Sequence, residues 1–193
     1  MNTEELTQQV RQRLARITPA EQQARSVAAC RLLCDQPEYQ RADVVMLFLS
    51  TVQEIDTTPL ALQAWHDGKR VLAPRISWKE QRMLPVEIHS LTTAAIPAGL
   101  TVREPEAGWP VPVADIDLVI VPGLGFDERG YRLGHGRGFY ERFLNHRDFD
   151  GIAAALVFED QIVAKIPTGP ADVRVELLVT DVKVRRYEVR ART

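Results

Sequence analysis

The stretch LVIVPGLGFDERGYRLGHGRGFYERFL, from Leu118 to Leu144, carries three successive patterns. LVIVP is a continuous apolar run, which is typical of a strand buried on both faces. Glycines are frequent in the segment that follows, and FYERFL begins a helical pattern that we expect to run from about Phe139 to Asn145. A strand, a glycine-rich loop and a helix in this order are typical of α/β proteins, which bind ligands at the carboxyl ends of their strands.

The remaining sequence extends this pattern in both directions. Apolar runs predict further strands at 43–50, 70–76, 82–88, 151–159 and 175–181, and Pro85 predicts that its strand lies at an edge. Helical spacing predicts an N-terminal pair of helices, the second capped by Thr18 and packing through Ala24, Val27, Ala28, Cys30 and Cys34, and a further helix near 57–68. We therefore predict one α/β domain over 1–193, a three-layer α/β/α sandwich around a mostly parallel, Rossmann-like mixed sheet.

Composition excludes several classes of function. The 193 residues are 45% hydrophobic and 26% charged, with a formal net charge of −2, so no overall basic field attracts nucleic acid. The longest apolar runs are strand-length, and the polar N-terminus does not resemble a signal peptide. Cys30 and Cys34 lack nearby metal-ligand partners. We expect a cytoplasmic monomer with reduced thiols, no membrane contact and no nucleic-acid partner.

The glycine-rich segment has the chemistry of an anion site. Glycines let backbone N–H groups approach a phosphate, and Arg132, His135 and Arg137 add positive charge. A Walker A loop is not present, because no Gly-Lys-Ser/Thr occurs, and the spacing of Gly134, Gly136 and Gly138 does not fit the dinucleotide-binding fingerprint. The alternative is a tight structural crossover whose arginines are simply solvated.

Three acidic residues are candidates for the same site. Glu54 follows the first strand, on the sheet edge where the glycine-rich segment also begins. Glu141 lies in the first turn of the helix and Asp172 in a loop before the last strand. Together the latter two carboxylates could hold Mg²⁺, which needs only one or two when it is bound to a nucleotide. Each acid could instead be an ordinary solvated charge.

These motifs resemble those of the 5-formyltetrahydrofolate cyclo-ligase family. The family's central stretch matches Pro122–Asp127, Gly130, Arg132–Gly134, Gly136, Gly138–Arg142 and Leu144. Shorter elements match Glu54–Thr57, Gly68–Val71, Pro74–Arg75, Glu104–Pro105 and Phe158–Asp172. The similarity extends from about residue 5 to 181, nearly the whole chain.

The resemblance implies an ATP- and Mg²⁺-dependent conversion of 5-formyltetrahydrofolate to 5,10-methenyltetrahydrofolate. It places ATP at Arg132, Gly134, His135, Gly136, Arg137, Gly138, Phe139 and Tyr140, with Arg137 and Tyr140 catalytic. It places the reduced folate at Leu49, Glu54, His135, Arg137 and Phe139. It assigns Mg²⁺ to Glu141 and Asp172.

The chain departs from the family pattern at two places. Thr3 and Thr7 occupy positions where the family carries Lys and Arg, and Arg11 and Arg13 lie further along the same helix. Glu141 stands where the family commonly has Asp. Two alternatives therefore remain: a folate- or nucleotide-binding relative with weakened or lost turnover, and a different enzyme on the same scaffold, such as a sugar-phosphate isomerase or an acyl-CoA transferase.

Overall fold

The computed structural model describes residues 2–77, 79–92, 94–95, 103–105, 108–134, 136–170 and 172–188. The α-helices in this part of the chain are α1 Thr3–Leu14, α2 Pro19–Cys34, α3 Pro37–Arg41, α4 Thr58–His66 and α5 Phe139–Leu144. Short 3₁₀ turns cover Val113–Asp115 and Glu159–Gln161. Within these residues, none of the helices has the length and apolar character needed to span a bilayer.

A seven-stranded mixed sheet forms the centre of the molecule. Its strands are β1 Val44–Met46, β2 Arg70–Ser77, β3 Arg82–Glu87, β6 Leu118–Val121, β9 Ile152–Val157, β11 Leu177–Thr180 and β12 Val184–Arg186. The spatial order is β12-β11-β9-β6-β1-β2-β3. Only the outer pairs, β2 with β3 and β11 with β12, are antiparallel. The predicted fold class is confirmed, and β3, which contains Pro85, is an edge strand as expected.

The order of the parallel strands fixes where a ligand can bind. The chain forms β1 first, adds β2 on one side, and then adds β6, β9 and β11 in succession on the other side. The strand order therefore reverses between β1 and β6, and a crevice opens at such a reversal, outside the carboxyl ends of the strands. Glu54 follows β1 and Gly123 follows β6, so both lie beside this crevice.

Alternate side chains of the strands pack on opposite faces of the sheet. In β1, Val45 contributes to one core cluster while Val44 and Met46 contribute to the other. Helix α4 packs on the first face, and helix α5 packs on the second through Phe139, Phe143 and Leu144. Helices cover both faces, which gives the three layers.

Helix α2 begins as its sequence predicts but buries a different face. Thr18 accepts from the Glu21 amide, and the Glu21 carboxylate accepts from Thr18 in return, which is a capping box. The face predicted from Ala24, Val27 and Ala28 is wrong, because these residues are exposed and Val27 is 49% accessible. The buried side chains of α2 are instead those of Ser26, Ala29, Cys30 and Leu33.

The glycine-rich segment is more ordered than a bare loop. It contains two strands, β7 Gly125–Asp127 and β8 Arg132–Leu133, which pair as an antiparallel hairpin. Strand β10, Ile162–Val163, pairs with β7 and completes a three-stranded sheet. A further two-stranded pair joins β4 Ala94–Ala95 and β5 Glu104–Pro105. Within the described residues, Gly134 and 136–138 lie outside these strands and before α5.

Candidate functional site

A cleft of about 580 Å³ lies at the strand-order reversal. Glu54 and its neighbours after β1 form one wall, and Gly123 and Leu124, at the end of β6, form another. The carboxyl end of helix α1 closes the cleft through Arg11, Leu14, Ala15 and Ile17. Gln22, Val52, Phe158 and Gln161 complete its lining. The cleft therefore joins three elements that are distant in sequence, and it has the mixed apolar and polar lining of a ligand site.

The Glu54 carboxylate is held in place by its own loop. Its Oε2 atom accepts hydrogen bonds from the Thr51 amide and the Thr51 hydroxyl, both at 2.9 Å. Its backbone carbonyl accepts from the Gln22 side chain at 2.8 Å. Because both side-chain bonds use Oε2, Oε1 is left to accept from a ligand. The structure thus places Glu54 in the cleft, and its role as a substrate-binding acid stays a prediction.

Two residues without a predicted role hold the start of the hairpin. Gln161 donates from Nε2 to the carbonyls of Gly123 at 2.8 Å and Leu124 at 3.1 Å. Asp127 is fully buried and accepts from the amides of Arg129, Tyr131 and Ile166. In the sequence, Gln161 belongs only to the Phe158–Asp172 element, and its role could not be predicted because its hydrogen-bond partners lie far away in the chain. These bonds fix the backbone at the cleft floor.

Arg132 links the end of β6 to the helix that follows the glycines. Its guanidinium donates to the Pro122 carbonyl at 3.1 Å and to Glu141 Oε1 at 2.5 Å. It also lies 5.4 Å from the centre of the Tyr140 ring, within cation–π range. The Arg132 side chain is only 10% exposed, so it is a built-in part of the site rather than a solvated cation.

Glu141 has one satisfied and one unsatisfied carboxylate oxygen. Oε1 accepts from Arg132, whereas Oε2 is buried and has no hydrogen-bond partner among the described residues. An ionised oxygen left in this state costs free energy until a cation or donor reaches it. A hard cation such as Mg²⁺ fits this oxygen, since carboxylates are its preferred protein ligands.

The second predicted metal ligand, Asp172, lies in an exposed loop. Its Oδ2 accepts from the Gly169 amide at 2.7 Å, which closes a local turn. Within the described part of the chain, no group of three His, Cys, Asp or Glu side chains could hold a metal ion. One or two carboxylates suffice for Mg²⁺ that is bound to a nucleotide. The unsatisfied oxygen of Glu141 therefore fits the ion without a second protein ligand, and Asp172 remains a predicted partner.

Tyr140 is placed to donate a hydrogen bond. Burial raises the pKa of its phenol strongly, the nearby Arg132 guanidinium lowers it in part, and the Glu54 charge raises it further. A phenol is protonated at neutral pH, so the Tyr140 hydroxyl is available as a hydrogen-bond donor.

Two predicted contact residues are occupied by packing. Phe139 is 8% exposed and lies in the core beneath the sheet, with the Arg142 guanidinium 4.9 Å from its ring centre. Leu49 is 4% exposed and forms an isolated bridge with Arg103. Little of either side chain is available as a flat ligand surface in this conformation. Tyr140 is half-buried and exposes more of its ring to a ligand.

The connection from Gly134 to Gly138 needs glycine at specific positions. Gly136 and Gly138 have φ of +76° and +67°, a left-handed conformation that favours glycine. A side chain at Gly134 would meet the Arg132 guanidinium at 2.6 Å. Arg137 between them is exposed, which suits a cation that meets a ligand from solvent. His135, predicted to contact both ATP and folate, lies outside the described residues.

Helix α1 packs directly against this segment. Leu6 and Val10 contact a cluster that includes Leu133, Val163 and Ile166. Thr3 is exposed and Thr7 half-buried, and residues at i and i+4 share one helix face, so these two align with Arg11. Arg11 reaches the Glu54 cleft, whereas Arg13 donates to the Ile162 carbonyl at 2.9 Å and is committed to holding the helix.

Comparison with known proteins identifies relatives along the whole chain. The model of the 5-formyltetrahydrofolate cyclo-ligase family matches residues 2–181. The 5-formyltetrahydrofolate cyclo-ligase of Escherichia coli K12 is 32% identical over 179 residues, which cover 91% of this chain and 98% of that protein. The Mus musculus cyclo-ligase is 27% identical over 181 residues, with 89% of each chain covered.

Solved structures agree with these relatives. The NMR structure of Aquifex aeolicus 5,10-methenyltetrahydrofolate synthetase superposes with a TM-score of 0.82 at 28% identity, covering 99% of this chain and 96% of that one. The Mycoplasma pneumoniae synthetase has a TM-score of 0.75 at 16% identity, with 94% of this chain and 99% of that chain covered, and shows the shared fold. From the family match over residues 2–181, the chain belongs to the 5-formyltetrahydrofolate cyclo-ligase family and is an enzyme of the ligase class.

Proposed function

We propose that this enzyme converts 5-formyltetrahydrofolate to 5,10-methenyltetrahydrofolate, consuming ATP with Mg²⁺ and releasing ADP and phosphate. The observation that carries the proposal is the unsatisfied, buried Oε2 of Glu141, held by Arg132 beside the glycine-rich connection. It provides an acceptor for a cation where backbone N–H groups and arginines suit a polyphosphate. Gly123 lines the cleft that contains Glu54, and its neighbour Pro122 accepts from Arg132, so the cleft adjoins this place and suits the second substrate.

The proposed reaction has two chemical stages. The formyl oxygen first attacks the γ-phosphorus of ATP, forming an O–P bond as the bond to the bridging oxygen breaks and ADP leaves. N10 of the folate then attacks the activated formyl carbon and forms the new C–N bond. The C–O bond breaks, inorganic phosphate departs with the former formyl oxygen, and the N10 proton passes to solvent.

The chain's own groups serve this sequence by position and charge. Arg137, between two left-handed glycines, and Arg132 stabilise negative charge as the phosphoryl group moves. The Tyr140 phenol, kept protonated by its raised pKa, donates a hydrogen bond to the phosphoryl or formyl oxygen. Glu54 accepts from the N–H donors of the folate ring through Oε1, because Thr51 already occupies Oε2.

Glu141 and Asp172 are proposed as the residues that hold Mg²⁺ with the ATP phosphates. When bound, the ion supplies charge neutralisation on the phosphate oxygens. Glu141 contributes through Oε2, and Arg132 keeps that oxygen oriented by binding Oε1. We further propose that His135 and Gly134 complete the ligand contacts, and that Phe139 contributes only the small part of its ring that packing leaves exposed. We propose that the enzyme acts in the cytoplasm as a monomer and that its partners are small molecules alone.

A weakened or inactive relative remains the second candidate, because the α1 face presents Thr3 and Thr7. Hydroxyl groups can hydrogen-bond to a phosphate but cannot neutralise its charge, so nucleotide affinity is expected to be lower. The family match disfavours the third idea, an unrelated enzyme on the same scaffold.

A direct assay separates these candidates. Purified protein is mixed with 5-formyltetrahydrofolate, ATP and Mg²⁺, and the absorbance of methenyltetrahydrofolate is followed. The proposal expects product only when all three are present. Binding of both substrates without product would instead favour the inactive relative. The absence of both binding and product would contradict both the active cyclo-ligase and the inactive relative, and would favour a different enzyme on the same scaffold.

A further inference from the structure

Arg11 is a cation placed at the edge of the Glu54 cleft. It is exposed and lines the cleft, and no hydrogen bond or ion pair to its side chain occurs within the described residues. Arg13, two residues on, donates to the carbonyls of Asp160 and Ile162 and anchors the helix. One arginine of α1 thus has a structural role, while the other is available to a ligand.

The position of Arg11 is fixed by the packing of its helix. Leu6 and Val10, on the buried side of α1, are 3% and 0% exposed. A capping box between Asn2 and Glu5 stabilises the amino-terminal turn of the helix. The helix therefore holds the Arg11 backbone at a defined place opposite the loop that carries Glu54.

The cleft has opposite charges on two of its walls. Glu54 supplies an acceptor from the loop after β1, and Arg11 supplies a donor from α1. Apolar side chains of Leu14, Ile17 and Leu124 also line it. A complementary ligand carries N–H donors, an apolar body and an anionic group. A reduced folate has this order: an aminopyrimidinone ring, an aryl linker and glutamyl carboxylates.

We propose that Arg11 binds a glutamyl carboxylate of the folate that Glu54 holds, and so selects for the substrate's tail. This inference rests on the proposed function. A phosphate of ATP is the competing anion, but the connection proposed for ATP, Gly134–Gly138, does not contribute its described residues to this cleft. Thr3 and Thr7 are likewise absent from the lining among the described residues, so the amino-terminal turns of α1 lie outside this cleft.

Equilibrium binding to two related compounds tests the assignment. Isothermal titration measures the binding of 5-formyltetrahydrofolate, of 5-formyltetrahydropteroate, which lacks the glutamyl group, and of ATP to wild type, Arg11→Gln and Arg16→Gln. Arg16 is an exposed arginine of the turn after α1 that is outside the cleft lining, so its variant is a matched charge control.

Arg11→Gln is expected to lower the affinity for 5-formyltetrahydrofolate about tenfold, because one charge-assisted hydrogen bond in a partly solvated site is lost. Its affinity for 5-formyltetrahydropteroate is expected to fall by less than about twofold. Arg16→Gln is expected to change neither. Equal weakening of both compounds, no weakening, or a loss confined to ATP would overturn the assignment of Arg11. If wild type binds neither compound, the proposed function fails as well. Wild type that binds both equally overturns the Arg11 assignment alone.

Discussion

Arg132 and Glu141 form an ion pair of 2.5 Å that leaves Glu141 Oε2 buried and without a hydrogen-bond partner among the described residues. The two side chains come from β8 and α5, which flank the glycine-rich connection on either side. Arg132 neutralises part of the charge of Glu141 and fixes its orientation. We propose that this oxygen gives the pair a role beyond stability, as an acceptor for a cation.

Replacing Glu141 tests that role. Glu141→Gln keeps the shape but removes the charge, so we expect the Mg²⁺ concentration for half-maximal activity to rise at least about tenfold. Glu141→Asp keeps the charge with a shorter side chain and is expected to retain activity. The control is Glu80→Gln, which changes another arginine-paired carboxylate that is 48% exposed. An unchanged Mg²⁺ dependence in Glu141→Gln would remove this residue from the metal site.

Arg137 is expected to serve ATP far more than folate. A charge-assisted phosphate contact contributes roughly 1.5–3 kcal/mol, so Arg137→Ala should weaken ATP binding by about 10- to 150-fold. Fluorescence titration with ATP and with 5-formyltetrahydrofolate measures the two affinities separately. Arg147→Ala is the matched control, because Arg147 is 91% exposed and lies in the turn after α5. Equal effects on both ligands, or none on ATP, would count against the phosphate contact.

Glu54 should serve the other substrate. Glu54→Gln is nearly isosteric, so we expect kcat/KM for 5-formyltetrahydrofolate to fall at least about tenfold while ATP affinity stays near wild type. Thr51→Val separates binding from positioning, since it removes the hydroxyl bond to Oε2 but leaves the Thr51 amide bond and the charge. Its effect should be smaller than that of Glu54→Gln. Normal folate kinetics in Glu54→Gln would mark Glu54 as an ordinary loop acid.

The missing cations of α1 should be restorable. Thr3 and Thr7 lie on one helix face, and in the family's pattern that face carries Lys and Arg. The double change Thr3→Lys and Thr7→Arg is expected to lower KM for ATP about tenfold, if each cation contributes ~0.7 kcal/mol in a partly solvated place. Steady-state kinetics over a range of ATP concentrations measures this. An unchanged KM would mean either that the α1 face does not approach the nucleotide or that Arg11 already supplies the cation. A raised KM for ATP in Arg11→Ala would indicate the second.

The central strands could be predicted because both of their faces are apolar. The residues of β6 and β9 form uninterrupted apolar runs. The start of α2 could be predicted because Thr18 and Glu21 have the spacing of a capping box. The β7–β8 hairpin was missed because its strands are only two or three residues long, which is too short to show an alternating apolar pattern. Strand β12 was missed because Val184–Arg186 is a half-exposed edge with little apolar signal.

The candidate site was predictable in composition but not in arrangement. Spacing and residue type identified Glu54, Arg132 and Glu141 as candidates. The pairing of Arg132 with Glu141 depends on how the hairpin and α5 pack, which no local pattern encodes. Gln161 binds the Gly123 carbonyl from 38 residues away, and Arg11 reaches the cleft only because α1 lies against β8.

The fate of the formyl oxygen tests the proposed chemistry most directly. 5-Formyltetrahydrofolate labelled with ¹⁸O in the formyl group is converted with ATP and Mg²⁺, and the released phosphate is examined by mass spectrometry. Phosphorylation of the formyl oxygen predicts one ¹⁸O atom in each phosphate, with ADP and methenyltetrahydrofolate formed in equal amounts. Unlabelled phosphate, or methenyltetrahydrofolate formed without ADP, would contradict the account.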